Sequence, residues 1–280
     1  MRRASTLFAV AVLSALPLGG QSFEVASVKP NKSSDTRDAD MKVLAGGKVV
    51  IRNVPLLMIV AAAWNVPFQS PRLSGGREWQ QMMEERFDIE ASPAAGAIAP
   101  GLTAKEWGDL VRPMMQALLE DRFKVRMRRD SKEQPVYALV VAKDGPKLQQ
   151  AAIQEKDCEN GPPDQPKVCH RVGGGQGRGI HGEAIDMEDV ALFVQNWTDQ
   201  PVIDKTGLIG LFNIQTEGWA PMRLRPPNPD GTTNKGDAGI NDADRQTLFD
   251  VFRQLGLAME SQKAVVDMYV IEHIERPAAN

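Results

Sequence analysis

The chain lacks most of the residue patterns that mark a catalytic or metal site. Its 280 residues include only two cysteines and three histidines. Serine is scarce, and no Gly-x-Ser-x-Gly nucleophile elbow occurs. The glycine run Gly173–Gly177 is not followed by the Gly-Lys-Ser/Thr of a phosphate-binding loop, so it predicts a flexible linker. The sequence therefore assigns no catalytic, cofactor-binding or metal-ligating residue.

An excess of positive charge and long apolar runs are also absent. The formal net charge of −3 gives no electrostatic reason to expect nucleic acid binding. Beyond the N-terminus, no stretch approaches the ~18 unbroken apolar residues of a membrane-spanning helix. We therefore expect a soluble mature chain with no membrane span, whose partner is an envelope protein or a small ligand.

Residues 1–22 have the composition of a secretory signal peptide. Two arginines precede the apolar segment Leu7–Leu18, and small residues follow. The alternative interpretation is a buried N-terminal helix. The signal pattern predicts cleavage between Gly19 and Phe23, and a protein that is secreted or periplasmic.

The two cysteines lie in a polar segment rich in proline and glycine. An exported protein meets an oxidising environment, so a disulfide between Cys158 and Cys169 is the expected arrangement. One alternative is a metal site that includes the adjacent His170, although the spacing matches no common zinc pattern. Free thiols are the other alternative.

An internal repeat is the strongest pattern in the chain. The segment Lys48–Trp64 matches Gly182–Trp197 when shifted by 133 positions, and each copy predicts a strand, a turn and a helix. Arg86–Ala91 recurs as Leu211–Thr216, and a later unit near 104–142 recurs near 243–274. The repeat predicts an α+β fold of two similar halves, with helices packed on mostly antiparallel sheet.

The repeat also predicts the organisation of the chain. After the signal peptide we expect a first half at 23–148 and a second half at 180–280. A polar linker at 149–179 that contains both cysteines separates them.

Local patterns predict individual elements within the halves. Thr103 and Glu106 form a capping-box sequence that begins a helix, which Pro113 should kink or divide. Asn53 is positioned to cap the first helix, at 55–64. Alternating residues predict a strand over 87–91. Two further pairs of successive strands are expected, at 123–127 with 136–142 and at 257–263 with 265–274.

One tetrapeptide resembles a phosphorylation motif. Asp204–Gly207 has the sequence Asp-Lys-Thr-Gly that holds the phosphorylated aspartate of ion-pumping ATPases, and Gly236–Asp242 is similar to their magnesium loop. The chain has no membrane helices and Leu208 replaces the threonine of the pumps. The alternative is a turn in which Asp204 accepts local hydrogen bonds and Gly207 has a positive φ.

Two other groups could carry chemistry. His181, Glu183 and Asp186 are close enough in sequence for a metal or acid–base cluster, although a structural role is the alternative. His273 lies in a closing strand, where a hydrogen-bonded structural role is expected. The basic strand Lys124–Arg129 could bind an anionic ligand or partner, or could be a solvated sheet face.

A set of short motifs, in order along nearly all of the mature chain, resembles one protein family. It is a soil-associated, uncharacterised family of exported bacterial proteins, classed as a domain of unknown function. The shared segments are 23–30, 87–89, 118–124, 135–139, 145–148, 202–208, 254–257 and 275–277. At Gly207–Gly210 this chain has Gly-Leu-Ile-Gly where the family has Gly-Leu-Thr-Gly. Asp-Lys-Thr-Gly is a landmark of the family with no phosphorylation implied.

The resemblance implies no reaction and no catalytic residues. Some relatives resemble extracytoplasmic modules attached to membrane metallopeptidases of the antibiotic-sensor type, which favours sensing or binding. In addition, the unit around Asn53–Leu56 is similar to the short N-terminal domain of secretins and TonB-dependent receptors, which binds proteins.

We therefore expect a non-enzymatic binding or sensory module of the periplasm or cell surface. The alternative is an exported hydrolase with an unrecognised carboxylate or histidine site. Arg126, Arg128, Asp204 and Lys205 are candidates to line a groove, but no pattern assigns them. A pocket with His181 or His273 in hydrogen-bond reach of two carboxylates would favour the hydrolase.

Overall fold

A computed structural model describes residues 22–33, 35, 38–75, 79–99, 102–158, 169–220, 222 and 246–277. The predicted signal peptide, apart from Ser22, and the Gly236–Asp242 loop lie outside these residues. The described strands are β1 Val25–Asn31, β2 Asp40–Val43, β3 Val49–Pro55, β4 Leu73–Gly75, β5 Arg86–Ser92, β6 Arg126–Val141, β7 Gln149–Gln150, β8 Arg171–Gly175, β9 Gly179–Ile185, β10 Val202–Asp204, β11 Phe212–Gln215 and β12 Leu257–His273. The described α-helices are α1 Leu56–Ala63, α2 Trp79–Glu84, α3 Ala104–Phe123, α4 Met187–Val194 and α5 Leu248–Gln254.

The first sheet has the order β1-β5-β3-β2, and all its strands are antiparallel. The predicted strand over 87–91 is confirmed as β5, because Phe87, Ile89 and Ala91 are buried on one face. On the other face, Glu90 pairs with Lys48 and Arg52 in water. One face of this sheet therefore supports the core and the other is solvated.

Helix α3 begins at the predicted capping box. The Thr103 hydroxyl accepts from the Glu106 backbone N–H, and the Glu106 carboxylate accepts from the Thr103 N–H. The helix continues through Pro113 without a break and ends where Lys124 adopts a left-handed φ of 52°. The prediction that Pro113 divides the helix is wrong.

The prediction that Asn53 caps α1 is also wrong, because the residue that precedes the helix is Pro55. Asn53 instead has a φ of 52° inside β3, at an irregularity in the pairing with β5. Its N–H donates to Asp88 Oδ1 and its carbonyl accepts from Arg86. These bonds satisfy the backbone where the strand ladder is interrupted.

The central sheet has the order β10-β6-β12-β4. Strands β6 and β12 pair antiparallel along almost their whole lengths, while β10 and β4 add in parallel at opposite ends. The prediction of two successive strands in each region is wrong, since 126–141 and 257–273 are each one strand. Residues 128–134 in the middle of β6 are all polar, yet they pair in register with 264–270 of β12, so nothing interrupts the two-stranded ribbon that β6 and β12 form.

The third sheet has the order β7-β11-β9-β8 and is antiparallel. The prediction that the glycine run is a flexible linker is wrong, because Gly173–Gly175 belong to β8 and pair with β9. A side chain at Gly174 would collide with the backbone of Gly179, so the glycines permit the close approach of the two strands.

Two hydrophobic cores result, one against each outer sheet. The ribbon joins them, because Ile271 at the end of β12 lies in the first core and Leu139 of β6 lies in the second. The fold is thus mixed α and β, with mostly antiparallel sheets and few helices, as predicted at that level. In the part of the chain that the structure describes, no helix has the length and apolar character needed to cross a membrane.

Candidate binding site

Cys158 and Cys169 form a disulfide, as predicted. Neither cysteine is a free thiol, so the alternative of a thiolate metal site with His170 is wrong. The two sulfur atoms lie against Ala184 and Leu211 of the third sheet, with Ala151 and Ile153 packed beside them. The disulfide therefore attaches the preceding segment to the sheet.

His170, next to the disulfide, lies between two carboxylates. Its Nδ1 donates to Asp189 Oδ2 at 2.6 Å, and its Nε2 donates to Glu155 Oε2 at 2.9 Å. The hydrogen bond to Asp189 is the largest of the effects that raise the pKa of His170 to about 9, against an opposing effect of burial. The imidazole is therefore a cation at neutral pH, with both nitrogens engaged.

The same cluster has the donor types of a metal site. Ligand atoms of His170, Asp186 and Asp189 lie within 4.8 Å of one another. Asp186 caps α4 by accepting from the Asp189 N–H, and Asp189 Oδ2 accepts from the Asp186 N–H. Burial raises the pKa of Asp186, and the neighbouring Asp189 charge raises it further. His170, Asp186 and Asp189 bond to one another or to nearby backbone, which fits a structural clamp better than a ligand set, whereas Glu155 Oε1 is buried with no partner among the described residues.

The structure does not form the cluster of His181, Glu183 and Asp186 that was weighed against a structural role. His181 is exposed on β9 and donates from Nε2 to the Arg178 carbonyl at 2.7 Å. The structure brings Asp186 to His170 instead, because Asp186 caps α4 at the end of β9. His170 is 16 residues before Asp186, and no local pattern in the sequence marks this contact.

Asp204–Gly207 forms the predicted turn. Asp204 Oδ1 accepts from both the N–H and the hydroxyl of Thr206, each at 2.8 Å, and Gly207 has a φ of 66°. The carboxylate that would be phosphorylated thus already accepts two hydrogen bonds from Thr206. Lys205 is exposed beside it.

The basic strand is largely neutralised by acidic neighbours. Arg128 donates to Glu272 at 2.7 Å and also contacts Asp130, while Arg129 contacts Asp267. The hydrogen bond with Arg129, followed by the one with Ser131, lowers the pKa of Asp267. The arrangement corresponds to the solvated sheet face that was the alternative to an anion site.

A cleft of about 700 Å³ contains His273 and Arg126. His273 Nε2 lies 2.7 Å from Glu275 Oε1, and Glu120 lines the cleft without a described contact to the histidine. Arg126 has no ion-pair partner among the described residues. Among the described residues, His273 therefore contacts one carboxylate and not the two that would favour a hydrolase.

A second cleft, of about 620 Å³, lies on the third sheet. Residues 182–184 of β9 and 213–215 of β11 form its floor, and the segment 151–153 forms a wall. Lys147 and Glu183 line it with opposite charges, and neither side chain has an ion-pair partner among the described residues. Sequence reasoning named Lys147 only as part of the shared segment 145–148 and gave it no role in a site.

This second cleft is the candidate binding site, because it combines apolar lining with a few convergent polar groups. Its wall is held by the disulfide and by the contact of Glu155 with His170. Arg126, Arg128, Asp204 and Lys205, the residues considered from sequence, do not line it.

Comparison with known proteins gives one match. No curated protein and no solved structure matches the chain. The model of a family described as "Protein of unknown function (DUF3738)" matches residues 57–274. That range includes α1 from its second residue, both long strands β6 and β12, the disulfide, the whole second cleft, and the first cleft except Glu275. The chain therefore belongs to the family of proteins of unknown function DUF3738.

Proposed function

We propose that this protein is a non-enzymatic binding or sensory module of the periplasm or cell surface, and that the cleft on the third sheet is its ligand site. The ligand is an envelope protein segment or a small molecule that carries charges of both signs. Lys147 accepts its anionic group and Glu183 its cationic group, while the apolar wall covers its remaining surface.

The observation that carries this proposal is the rigid attachment of the cleft wall. Ala151 and Ile153 pack beside the Cys158–Cys169 disulfide, and Glu155 binds the His170 cation at 2.9 Å. A wall held in place before the ligand arrives loses little conformational entropy on binding. Such preorganisation favours recognition in a cleft whose charged groups are still unpaired.

The state of the histidines supports binding over hydrolysis. A general base needs a free nitrogen lone pair directed at the substrate. Both nitrogens of His170 are engaged by carboxylates, and His181, whose Nε2 donates to a backbone carbonyl, lines neither cleft. The observation that favours the alternative, an exported hydrolase, is the pair of His273 and Glu275 in the larger cleft.

The compartment is part of the proposal. A structural disulfide is typical of proteins that fold in an oxidising environment, such as the periplasm or the cell exterior. The signal-like composition of residues 1–22 agrees with export, and the sulfur atoms are closed in a small satellite core.

We also propose that the two halves expected at 23–148 and 180–280 arose by internal duplication, and that the second half extends back into residues 149–179, because these contain β7 and β8. The orders of the outer sheets support this, because β1-β5-β3-β2 and β7-β11-β9-β8 use strands of corresponding rank in the chain. In the central sheet β10-β6-β12-β4, exchanging β4 with β10 and β6 with β12 gives the same order read from the opposite edge. Corresponding strands are thus shared symmetrically between the halves.

Backbone details support the same equivalence. Asn53 and Ala184 have φ values of 52° and 46°, and each interrupts the strand before α1 or α4. Tyr137 donates its N–H to the Pro201 carbonyl at 2.8 Å, and Tyr269 donates to Arg72 at 2.7 Å. Asn53 and Ala184 are 131 positions apart, whereas the sequence pattern aligned the two segments with a shift of 133 positions. With a shift of 131, Trp64 and Trp197 are not equivalent positions.

The test is affinity capture from an envelope extract on immobilised mature protein, beside a broad panel of hydrolase substrates. We expect a ligand that wild-type protein retains and that Glu183→Lys loses by about tenfold, about 1.4 kcal/mol. Lys143→Glu, an exposed lysine outside the cleft, is the control for the charge change and should retain the ligand. Turnover that disappears in His273→Ala, with nothing captured, would overturn the proposal in favour of the hydrolase.

A further inference from the structure

Strand β2 is the outer strand of the first sheet, and no described residue pairs with its open side. The Leu44 N–H donates to the Lys48 carbonyl at 2.7 Å. Antiparallel strands alternate bonded and non-bonded pairs, so Lys42 and Asp40 also bond to β3. Met41 and Val43 therefore direct their N–H and C=O groups away from the sheet.

Exposed apolar and charged side chains alternate at this edge. Met41 and Val43, on one face of β2, are 38% and 42% exposed, and Leu44 after the strand is 39% exposed. Charges usually protect an exposed edge, but Asp40 and Lys42 have opposite signs and so complement each other in a second copy of the strand. Since an edge of this kind is a template for pairing with another strand, β2 has the features of an interaction surface.

The corresponding edge of the third sheet is different. There the His170 N–H donates to the Ala184 carbonyl, and bonded and non-bonded pairs then alternate along β8. Arg171 and Gly173 therefore direct their backbone N–H and C=O groups away from the sheet. A charge and a glycine offer little apolar contact to a neighbouring strand. The equivalent edge strand of the third sheet thus lacks the exposed apolar side chains of β2.

The charge pattern of β2 selects its partner. We propose that β2 pairs with β2 of a second copy of this chain, antiparallel and with Met41 on the twofold axis. In this register Lys42 of each copy faces Asp40 of the other. The adjacent allowed register, centred on Lys42, would place the two lysines opposite each other, which is destabilising.

In the single chain, Lys42 Nζ already contacts Asp40 Oδ2 at 2.7 Å along the strand. Both side chains are largely exposed, at 63% and 40%, so they can exchange this contact for one across the dimer without loss of solvation. The pairing joins two four-stranded sheets into one of eight strands and covers the apolar edge of each copy. It is an isologous contact, in which both copies use the same surface.

The interface is small because β2 has only four residues. Contacts of this size give weak association, so we expect a dissociation constant on the order of 100 μM. Sedimentation equilibrium of the mature chain over about 5–500 μM is the measurement. Dimer formation in wild-type protein is expected, and a monomer throughout would overturn the proposal.

Charge substitutions test the register. Lys42→Asp and Asp40→Lys should each be monomeric, because each places like charges opposite one another. An equimolar mixture of the two variants should recover the dimer, since a strand with two aspartates then faces a strand with two lysines. Dimers of either variant alone, or a mixture that stays monomeric, would contradict the register. Lys143→Asp is the matched control and should dimerise as the wild type does.

A backbone variant separates loss of pairing from loss of folding. The N–H of Val43 points outward, so Val43→Pro removes an intermolecular donor and no bond to β3. We expect a folded protein with an unchanged far-ultraviolet circular dichroism spectrum and no dimer. A folded Val43→Pro variant that dimerises as strongly as the wild type would overturn the proposal.

Discussion

His170 and Asp189 form the closest contact of the clamp beside the disulfide, with Nδ1 donating to Oδ2 at 2.6 Å. The contact joins the residue after Cys169 to the first turn of α4. It brings together two parts of the chain that are 19 residues apart, and a second carboxylate, Glu155, completes it. The cation is held by charge-assisted hydrogen bonds on both sides of the ring.

The clamp predicts how stability depends on pH. The folded pKa of His170, about 9, exceeds its ordinary value of 6.5. The stabilisation is therefore complete below pH 6.5 and is lost as the pH rises through about 9. By this linkage His170→Gln should lower the free energy of unfolding by roughly 1–3 kcal/mol at pH 6 and by much less at pH 10.

Urea unfolding of wild type and variant at both pH values measures this difference. His181→Gln is the control, because His181 is exposed and binds only a carbonyl. A His170→Gln effect of equal size at pH 6 and pH 10 would show that the charge of the imidazole does not contribute.

The disulfide closes a short loop and so should contribute moderately to stability. Its cysteines are 11 residues apart, for which loop-closure entropy gives about 3 kcal/mol. Cys158→Ser with Cys169→Ser should lower the free energy of unfolding by about that amount in denaturant titration. Thiol titration of the purified protein should find no free thiol before reduction and two after it. Two thiols before reduction would refute the bond.

The end of β12 should stabilise the first core although it lies near the C-terminus. Ile271 is 1% exposed and packs among buried residues between Val28 and Val125 in the first core. Ile271→Ala removes a buried side chain and should cost about 2–4 kcal/mol. Val265→Ala, on the same strand but 69% exposed, is the control and should stay within about 0.5 kcal/mol. If both variants lowered the melting temperature equally, the C-terminal end of β12 would not support this core.

The turn at Asp204 predicts a structural effect and no phosphorylation. Asp204→Ala removes two hydrogen bonds to Thr206 and should lower the free energy of unfolding by about 1 kcal/mol. Lys205→Ala should be nearly neutral, because Lys205 is exposed. Incubation with labelled ATP and magnesium should leave no label on the wild-type protein. Label that disappears in Asp204→Ala would support the ATPase-like interpretation instead.

Local patterns in the sequence were sufficient where neighbours in the chain make the contact. The capping box of Thr103 and Glu106, the alternating strand β5 and the Asp204 turn depend on residues within a few positions of one another. The disulfide was predictable for a similar reason, because only two cysteines exist. In each case the physical cause is contained in a short segment, so composition and spacing reveal it.

Tertiary pairing decided the rest. The glycine run became β8 because β9 lies beside it, and the middle of β6 stayed extended because β12 pairs with it. The cleft depends on Lys147, Glu183 and a wall that the distant His170 holds. The sequence by itself determined the ends of helices, the turns and the one possible disulfide, since these are local. Strand partners, the clamp and the cleft are long-range contacts, which only the folded chain brings together.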